Sequence, residues 1–145
     1  MLRDARRYDD QSESIVFPNS ARYTLKNFSE AFHDYKDVFK FCKKMSIMQV
    51  DNGEYALLTA IVIFSDRHGL QEPTKVEEIQ KMYIDTLESY VNNHRAKQNM
   101  MFAKLLGVLT DLRSLGIANN EKFHSLKLRK KRLPKCLEEI WYIQR

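Results

Sequence analysis

Histidine, cysteine and clustered carboxylates do most protein chemistry, and in this chain their spacing argues against catalysis. His33, His68, His94 and His124 stand apart from one another and from any partner at metal-ligand spacing, so no metal site is expected. Cys42 and Cys136 are far apart and form no paired motif; a disulfide framework is not indicated, and a reducing compartment fits. Cys42 falls on an apolar stripe, which reads as inert core rather than nucleophile. Glu77 and Glu78 are adjacent acids on the charged face of a helical pattern, the setting of plain surface charge. The 4 glycines are too dispersed to cradle a phosphate. Neither a cofactor nor an enzyme activity is implied.

Three features point instead to recognition, each with a plainer reading beside it. Met101, Leu105, Val108, Leu112 and Leu115 recur at intervals of 4, 3, 4 and 3, and Phe102, Leu106 and Leu109 widen the stripe. Ordinary core packing explains it; so does a helix that packs inward on one side and binds a partner helix on another. Cys136, Leu137, Glu138, Glu139, Ile140 and Trp141 form a short apolar element around two acids, behind Pro134. That is a docking lid or a simple terminal helix, and an acid there can cap the free amides of a bound peptide helix. Lys127, Arg129, Lys130, Lys131 and Arg132 are a nuclear-import or nucleic-acid segment, or a solvated linker.

The elements that carry these residues are helical. With 145 residues, 43% hydrophobic and 30% charged, the chain suits one domain with a core. Few glycines and prolines favour long elements. A net charge of +5 permits nucleic-acid contact without requiring it. No apolar run approaches the roughly 18 residues of a membrane span. Residues 1–7 show no secretory leader, and residues 2–8 read as the uncapped end of a helix. Residues 14–17 and 22–24 predict two short strands around a turn at 18–21. Residues 35–48 predict a helix with Val38, Phe41, Cys42, Met45 and Met48 inward. Asp51 and Glu54 form a capping box that opens a helix to about residue 65, apolar on every side and therefore central. Pro73 opens the next helix, with Val76, Ile79, Tyr83, Leu87, Tyr90 and Val91 on one stripe and an end near 92–94. The heptad-like helix then ends at Gly116 as a C-cap, and residues 119–128 make a further amphipathic stretch. The fold class is all-α with a two-stranded β-hairpin near the N-terminus.

Long segments resemble one family. Residues 55–67, Tyr-Ala-Leu-Leu-Thr-Ala-Ile-Val-Ile-Phe-Ser-Asp-Arg, resemble the eighth helix and following loop of nuclear-receptor ligand-binding domains. Residues 102–106 and 112–116 resemble the tenth helix. Residues 126–128, 133–134 and 137–141 are similar to the approach to the activation helix. The Leu-Glu-Glu-Ile-Trp ending and the Met-Leu-Arg-x-Ala-Arg-Arg-Tyr-Asp opening resemble the ecdysone-receptor branch. The resemblance implies a partial helical sandwich over residues 1–145, from late fifth helix to activation helix, with the DNA-binding domain outside this chain. It implies a nuclear transcription-factor domain with three partners. These are an ecdysteroid-like steroid, a retinoid X receptor or ultraspiracle-type receptor, and Leu-x-x-Leu-Leu coactivators; DNA would be met only through the other domain, and no membrane is involved.

The same resemblance implies roles. Arg3 would donate to an A-ring hydroxyl. Phe17, Pro18, Tyr23 and Phe28 would line the strand side of the pocket, and Asn119, Phe123 and Trp141 its side-chain end. Leu137, Glu139 and Ile140 would hold the coactivator, with Glu139 the acidic half of the charge clamp. Leu105, Leu109, Leu112 and Arg113 would form the dimer interface, and Arg67 is typical of heterodimerising members. Four positions depart from the family pattern. Pro18 stands where alanine offers a backbone amide to the ligand ketone, a donor proline lacks. Phe28 matches a tyrosine that contacts the steroid side chain, Lys122 a pocket methionine, and Cys136 a phenylalanine. A buried partner left unmatched costs about 1–3 kcal/mol, one to two decades of affinity. The chain is thus either a ligand-dependent regulator or a divergent heterodimerisation module that binds ecdysteroid weakly or not at all. An unrelated helical enzyme would need a clustered polar site.

Overall fold

A computed structural model describes residues 1–27, 36–98 and 100–128, with side chains through residue 121. The chain divides into two compact units, Met1–Leu112 and Arg113–Arg145. The elements are α1 (Leu2–Ala5), β1 (Tyr8–Asp9), β2 (Ser14–Val16), β3 (Arg22–Thr24), α2 (Lys36–Ile47), α3 (Asn52–Ile63), α4 (Pro73–His94) and α5 (Met101–Leu128).

The predicted hairpin is present and gains a third strand. Ser14, Ile15 and Val16 pair antiparallel with Thr24, Tyr23 and Arg22. On the other side Tyr8 pairs with Ile15 and Asp9 with Ser14. Residues 6–8 therefore do not continue the first helix as expected. Pairing with β2 satisfies the backbone there, and Arg22 locks the outer strands together through Asp9 at 3.0 Å. The β2–β3 connection is a tight turn in which the Ser20 amide donates to the Phe17 carbonyl at 2.9 Å. Pro18 occupies its second position, where a fixed φ near −65° costs nothing. The Asn19 side chain accepts from the Ala21 amide at 3.1 Å.

The capping box at α3 forms as predicted. The Glu54 amide donates to Asp51 and the Asp51 amide to Glu54, both at 2.9 Å. The helix is one-sided rather than apolar-buried all round: Glu54, Tyr55, Leu58 and Ile61 are buried, while Ala56 and Thr59 are exposed and Ile63 is 60% exposed. Glu54 takes a place on the inward stripe that an apolar side chain would fill in a wholly greasy helix. Pro73 sits in the first turn of α4. α3 and α4 run antiparallel. Gln80 donates to the Ile61 carbonyl at 3.0 Å, and Phe64 stacks on Tyr83 at 5.7 Å. At the other end Tyr90 reaches Asp51.

The core of the first unit collects Phe41, Cys42 and Met45 from α2, Leu58 and Ile61 from α3, Leu87 and Val91 from α4, and Met101, Leu105 and Val108 from α5. Each fully buried side chain of this size contributes roughly 1.5–3 kcal/mol. In the second unit the helix passes through Gly116, where a cap was expected, and continues to Leu128. A helical glycine costs about 1 kcal/mol against alanine, and the polar run that follows keeps helix-forming residues such as Glu121 and Lys122 rather than a stop signal.

Candidate functional site

On the strand side, the sheet brings two of the predicted ligand residues into contact. Phe17 follows β2 and Tyr23 lies in β3; their rings meet edge-to-face at 5.2 Å and 81°. Both are half-buried. The Phe17 amide donates to the Ala21 carbonyl at 2.9 Å, closing the turn. Pro18 is exposed at the turn's apex and offers no amide to any ligand. Arg3 is exposed on α1, a helix that packs against both α2 and β2.

The remaining sequence-predicted positions are placed as follows. Asn119 is half-buried on α5 in the second unit. Phe123 lies on the helical backbone of α5, its side chain outside the described residues. Phe28, Leu137, Glu139, Ile140 and Trp141 also lie outside them. Of the interface set, Leu109 and Leu112 are half-buried and Arg113 is exposed. Leu105 is 0% exposed; it is spent on the chain's own core and has no surface left for a partner. Arg67 is exposed, and its guanidinium reaches the Val62 carbonyl at 3.4 Å, beside Ser65 on the same oxygen at 2.8 Å.

A polar cluster that the residue pattern had not exposed ties α2, α3 and α4 together. Glu54 is 0% exposed, and Arg95, just past the end of α4, lies against it. Arg95 Nη2 donates to Glu54 Oε2 at 2.7 Å and to the Gln49 carbonyl at 2.5 Å. Arg95 Nε stands 2.6 Å from Oε1, a charge contact without the alignment of a good hydrogen bond. Tyr90 packs over the same helix start so closely that a Cβ on Gly53 would lie 2.7 Å from its ring. Burial, then the Asp51 carboxylate, holds the Tyr90 phenol above its usual range. The sequence signal for this cluster was Glu54 itself: with Leu58 and Ile61 it follows helical spacing, so the capping acid faces inward.

α1 is fixed to the same region. Arg6 donates to the Asn52 side chain at 2.6 Å and lies 5.5 Å from the Tyr55 ring centre, a cation–π contact. Burial pushes the Tyr55 phenol up to about 12 and the Cys42 thiol likewise to about 12. Cys42 is thus core, not nucleophile. Among the described residues no cluster of three or more His, Cys, Asp or Glu is placed to hold a metal ion. No helix there is long and apolar enough to cross a membrane.

The arrangement is therefore a scaffold: a sheet with an aromatic pair on one border and helices locked by a buried ion pair. Comparison with known proteins accords with it. The family described as the ligand-binding domain of nuclear hormone receptor matches residues 2–129. The chain is 53% identical over 146 aligned positions to the ecdysone receptor of Lucilia cuprina, covering 97% of this chain and 19% of that one. To the ecdysone receptor of Drosophila melanogaster it is 52% identical, with 97% and 17% covered. To that of Chironomus tentans it is 49% identical, with 97% and 27% covered. It thus spans between 17 and 27% of the length of these relatives. A match running from α1 through the whole of α5, with half of all positions shared with ecdysone receptors, makes the chain a member of the nuclear hormone receptor ligand-binding domain family, whose proteins are transcription factors rather than enzymes.

Proposed function

We propose that the chain is the hormone-responsive part of an ecdysteroid-receptor-like regulator that acts in the nucleus. In this reading an ecdysteroid-like steroid lies along Phe17 and Tyr23, with Arg3 as a hydroxyl partner and Asn119, Phe123 and Trp141 at its far end. The element bearing Leu137, Glu139 and Ile140 closes beside it and receives a Leu-x-x-Leu-Leu coactivator. Leu109, Leu112 and Arg113 contribute to a surface for a retinoid X receptor or ultraspiracle-type partner, while Leu105 supports that surface from within. DNA contact belongs to another part of a receptor of this kind. The observation that carries the reading is the near-half to above-half identity with ecdysone receptors across 97% of the chain.

Pro18 favours a second reading, a heterodimerisation module with weak or no ecdysteroid binding, because the amide that would meet the ligand's ketone does not exist at that position. Saturation binding of a radiolabelled ecdysteroid separates the two, with the chain held in a full-length ligand-binding domain beside an ultraspiracle-type partner. Saturable binding that Arg3→Ala weakens supports the hormone reading. Co-purification with the partner but no saturable binding supports the module. Loss of both sinks the proposal.

A further inference from the structure

We propose that the hollow bordered by the end of α1, the last turn of α2 and the start of α3 binds the phosphate group of a small phosphate ester. The hollow measures about 300 Å³, the lower end of the range for small-molecule sites, roughly 300–1,000 Å³. Among the described residues that line it there is one cation, Arg6, and no acid. Arg6 donates to the Asn52 side-chain oxygen at 2.6 Å and lies over the Tyr55 ring. No carboxylate among the described residues pairs with it, and most of its five N–H donors stay unused. Ser46, Gln49 and Asn52 line the same space. The Ser46 hydroxyl, the Gln49 amide and the Asn52 amide nitrogen make no hydrogen bond to a described residue, so three further donors converge there. The acids at the start of α3 are engaged elsewhere: Asp51 by the Glu54 amide and Tyr90, and Glu54 by Arg95.

A guanidinium presents a planar fork that matches two oxygens of a phosphate. The hydroxyl and the two amides then supply donors for the third oxygen and for the ester oxygen. A carboxylate, with two oxygens, leaves part of this donor set idle. Met45 and Val50 add apolar carbon to the wall, a place for the short carbon chain of an ester. Neither Arg3, Phe17 nor Tyr23 lines this hollow, so the site is independent of the steroid reading.

The test follows the amide resonances of the isotope-labelled 145-residue chain during titration with glycerol 3-phosphate, with inorganic phosphate and acetate in parallel at constant ionic strength. The ester is expected to give saturable shifts centred on residues 5–8 and 45–55. Inorganic phosphate is expected to shift the same resonances more weakly. Acetate is expected to bind at least about tenfold more weakly than the ester, a gap of about 1.4 kcal/mol. Arg6→Gln is expected to weaken the ester by a similar factor. Asn52→Asp places a carboxylate where Arg6 already reaches and is expected to remove binding by neutralising the guanidinium from within. Dispersed amide resonances confirm that both variants fold, and Asn52→Asp, an acid at a helix start, is expected to leave the thermal midpoint unchanged or higher. The proposal is overturned by absence of saturation, by shifts centred elsewhere, by acetate matching the ester or by inorganic phosphate binding as tightly as the ester. It is also overturned if folded Arg6→Gln or Asn52→Asp binds as the parent does.

Discussion

Removing Arg95 is the sharpest perturbation this fold offers. Arg95→Ala leaves the Glu54 carboxylate, 0% exposed, without the cation that stands 2.6 and 2.7 Å from its two oxygens. It also strips a donor from the Gln49 carbonyl and a longer one, at 3.4 Å, from that of Met48. Breaking one side of a buried ion pair costs about 3–5 kcal/mol. A domain holds roughly 5–15 kcal/mol in total, so the change consumes about a fifth of it or more. With roughly 2–4 °C per kcal/mol near this chain length, the midpoint should fall by about 10 °C. Thermal unfolding followed by circular dichroism measures the shift and urea unfolding the free energy, against Lys81→Ala as control. Lys81 pairs with Asp85 at 2.6 Å, but both are more than half exposed, and such a pair is worth about 0.3–0.5 kcal/mol. Replacing both partners, Glu54→Gln with Arg95→Met, should cost less than Arg95→Ala alone because no orphaned charge remains. If Arg95→Ala costs no more than Lys81→Ala, or if the double change is the worse of the two, the ion pair is not what holds α3 to the end of α4.

Gly53→Ala should destabilise by about 1–3 kcal/mol, the usual cost of overpacking, since its Cβ would stand 2.7 Å from the Tyr90 ring; in a Tyr90→Ala background the penalty should vanish, and persistence there assigns it to the backbone instead. Cys42, its thiol raised to about 12 by burial, should resist iodoacetamide at pH 8 in the native chain and react once urea unfolds it, as read by peptide mass spectrometry; modification at equal rates in both states refutes its burial. The sheet should loosen at acid pH. The Ser12 hydroxyl and then Arg22 hold Asp9 below its usual range, and Lys43 does so for Glu13. A depressed carboxylate contributes stability above its ordinary pKa and loses it as pH falls through the folded value, whereas Lys43, raised by Glu13, loses its share only as pH climbs past its ordinary value. Amide exchange in residues 8–16 should therefore quicken on the acid side and again under strong base once intrinsic rates are removed. The effect should shrink in high salt, and a flat profile counts against these ties.

What could be read from residue order alone was what neighbours in sequence decide. Asp51 and Glu54 bond across three residues, Pro73 needs only its own turn, and Pro18 with Asn19 shapes four residues into a hairpin; each was legible because the physics closes locally. Tyr8 was misplaced because its partner, Ile15, lies across a turn, and a two-residue strand leaves no periodicity to read. Gly116 was misread as a stop because glycine only permits a left-handed cap; nothing compels one while helix formers follow. Leu105 illustrates a third limit. Its place on the 4-3 stripe was right, but a stripe tells that a face is apolar and not whether the chain or a partner covers it. Arg95 was the costliest omission, for it lies 41 residues from Glu54. Still, the acid carried a hint. A capping glutamate normally looks to solvent, and this one shares its helix face with Leu58 and Ile61, so burial without a cation would be prohibitive. The required positive charge is Arg95, just past the end of the next helix. An acid on an apolar stripe thus foretells its partner.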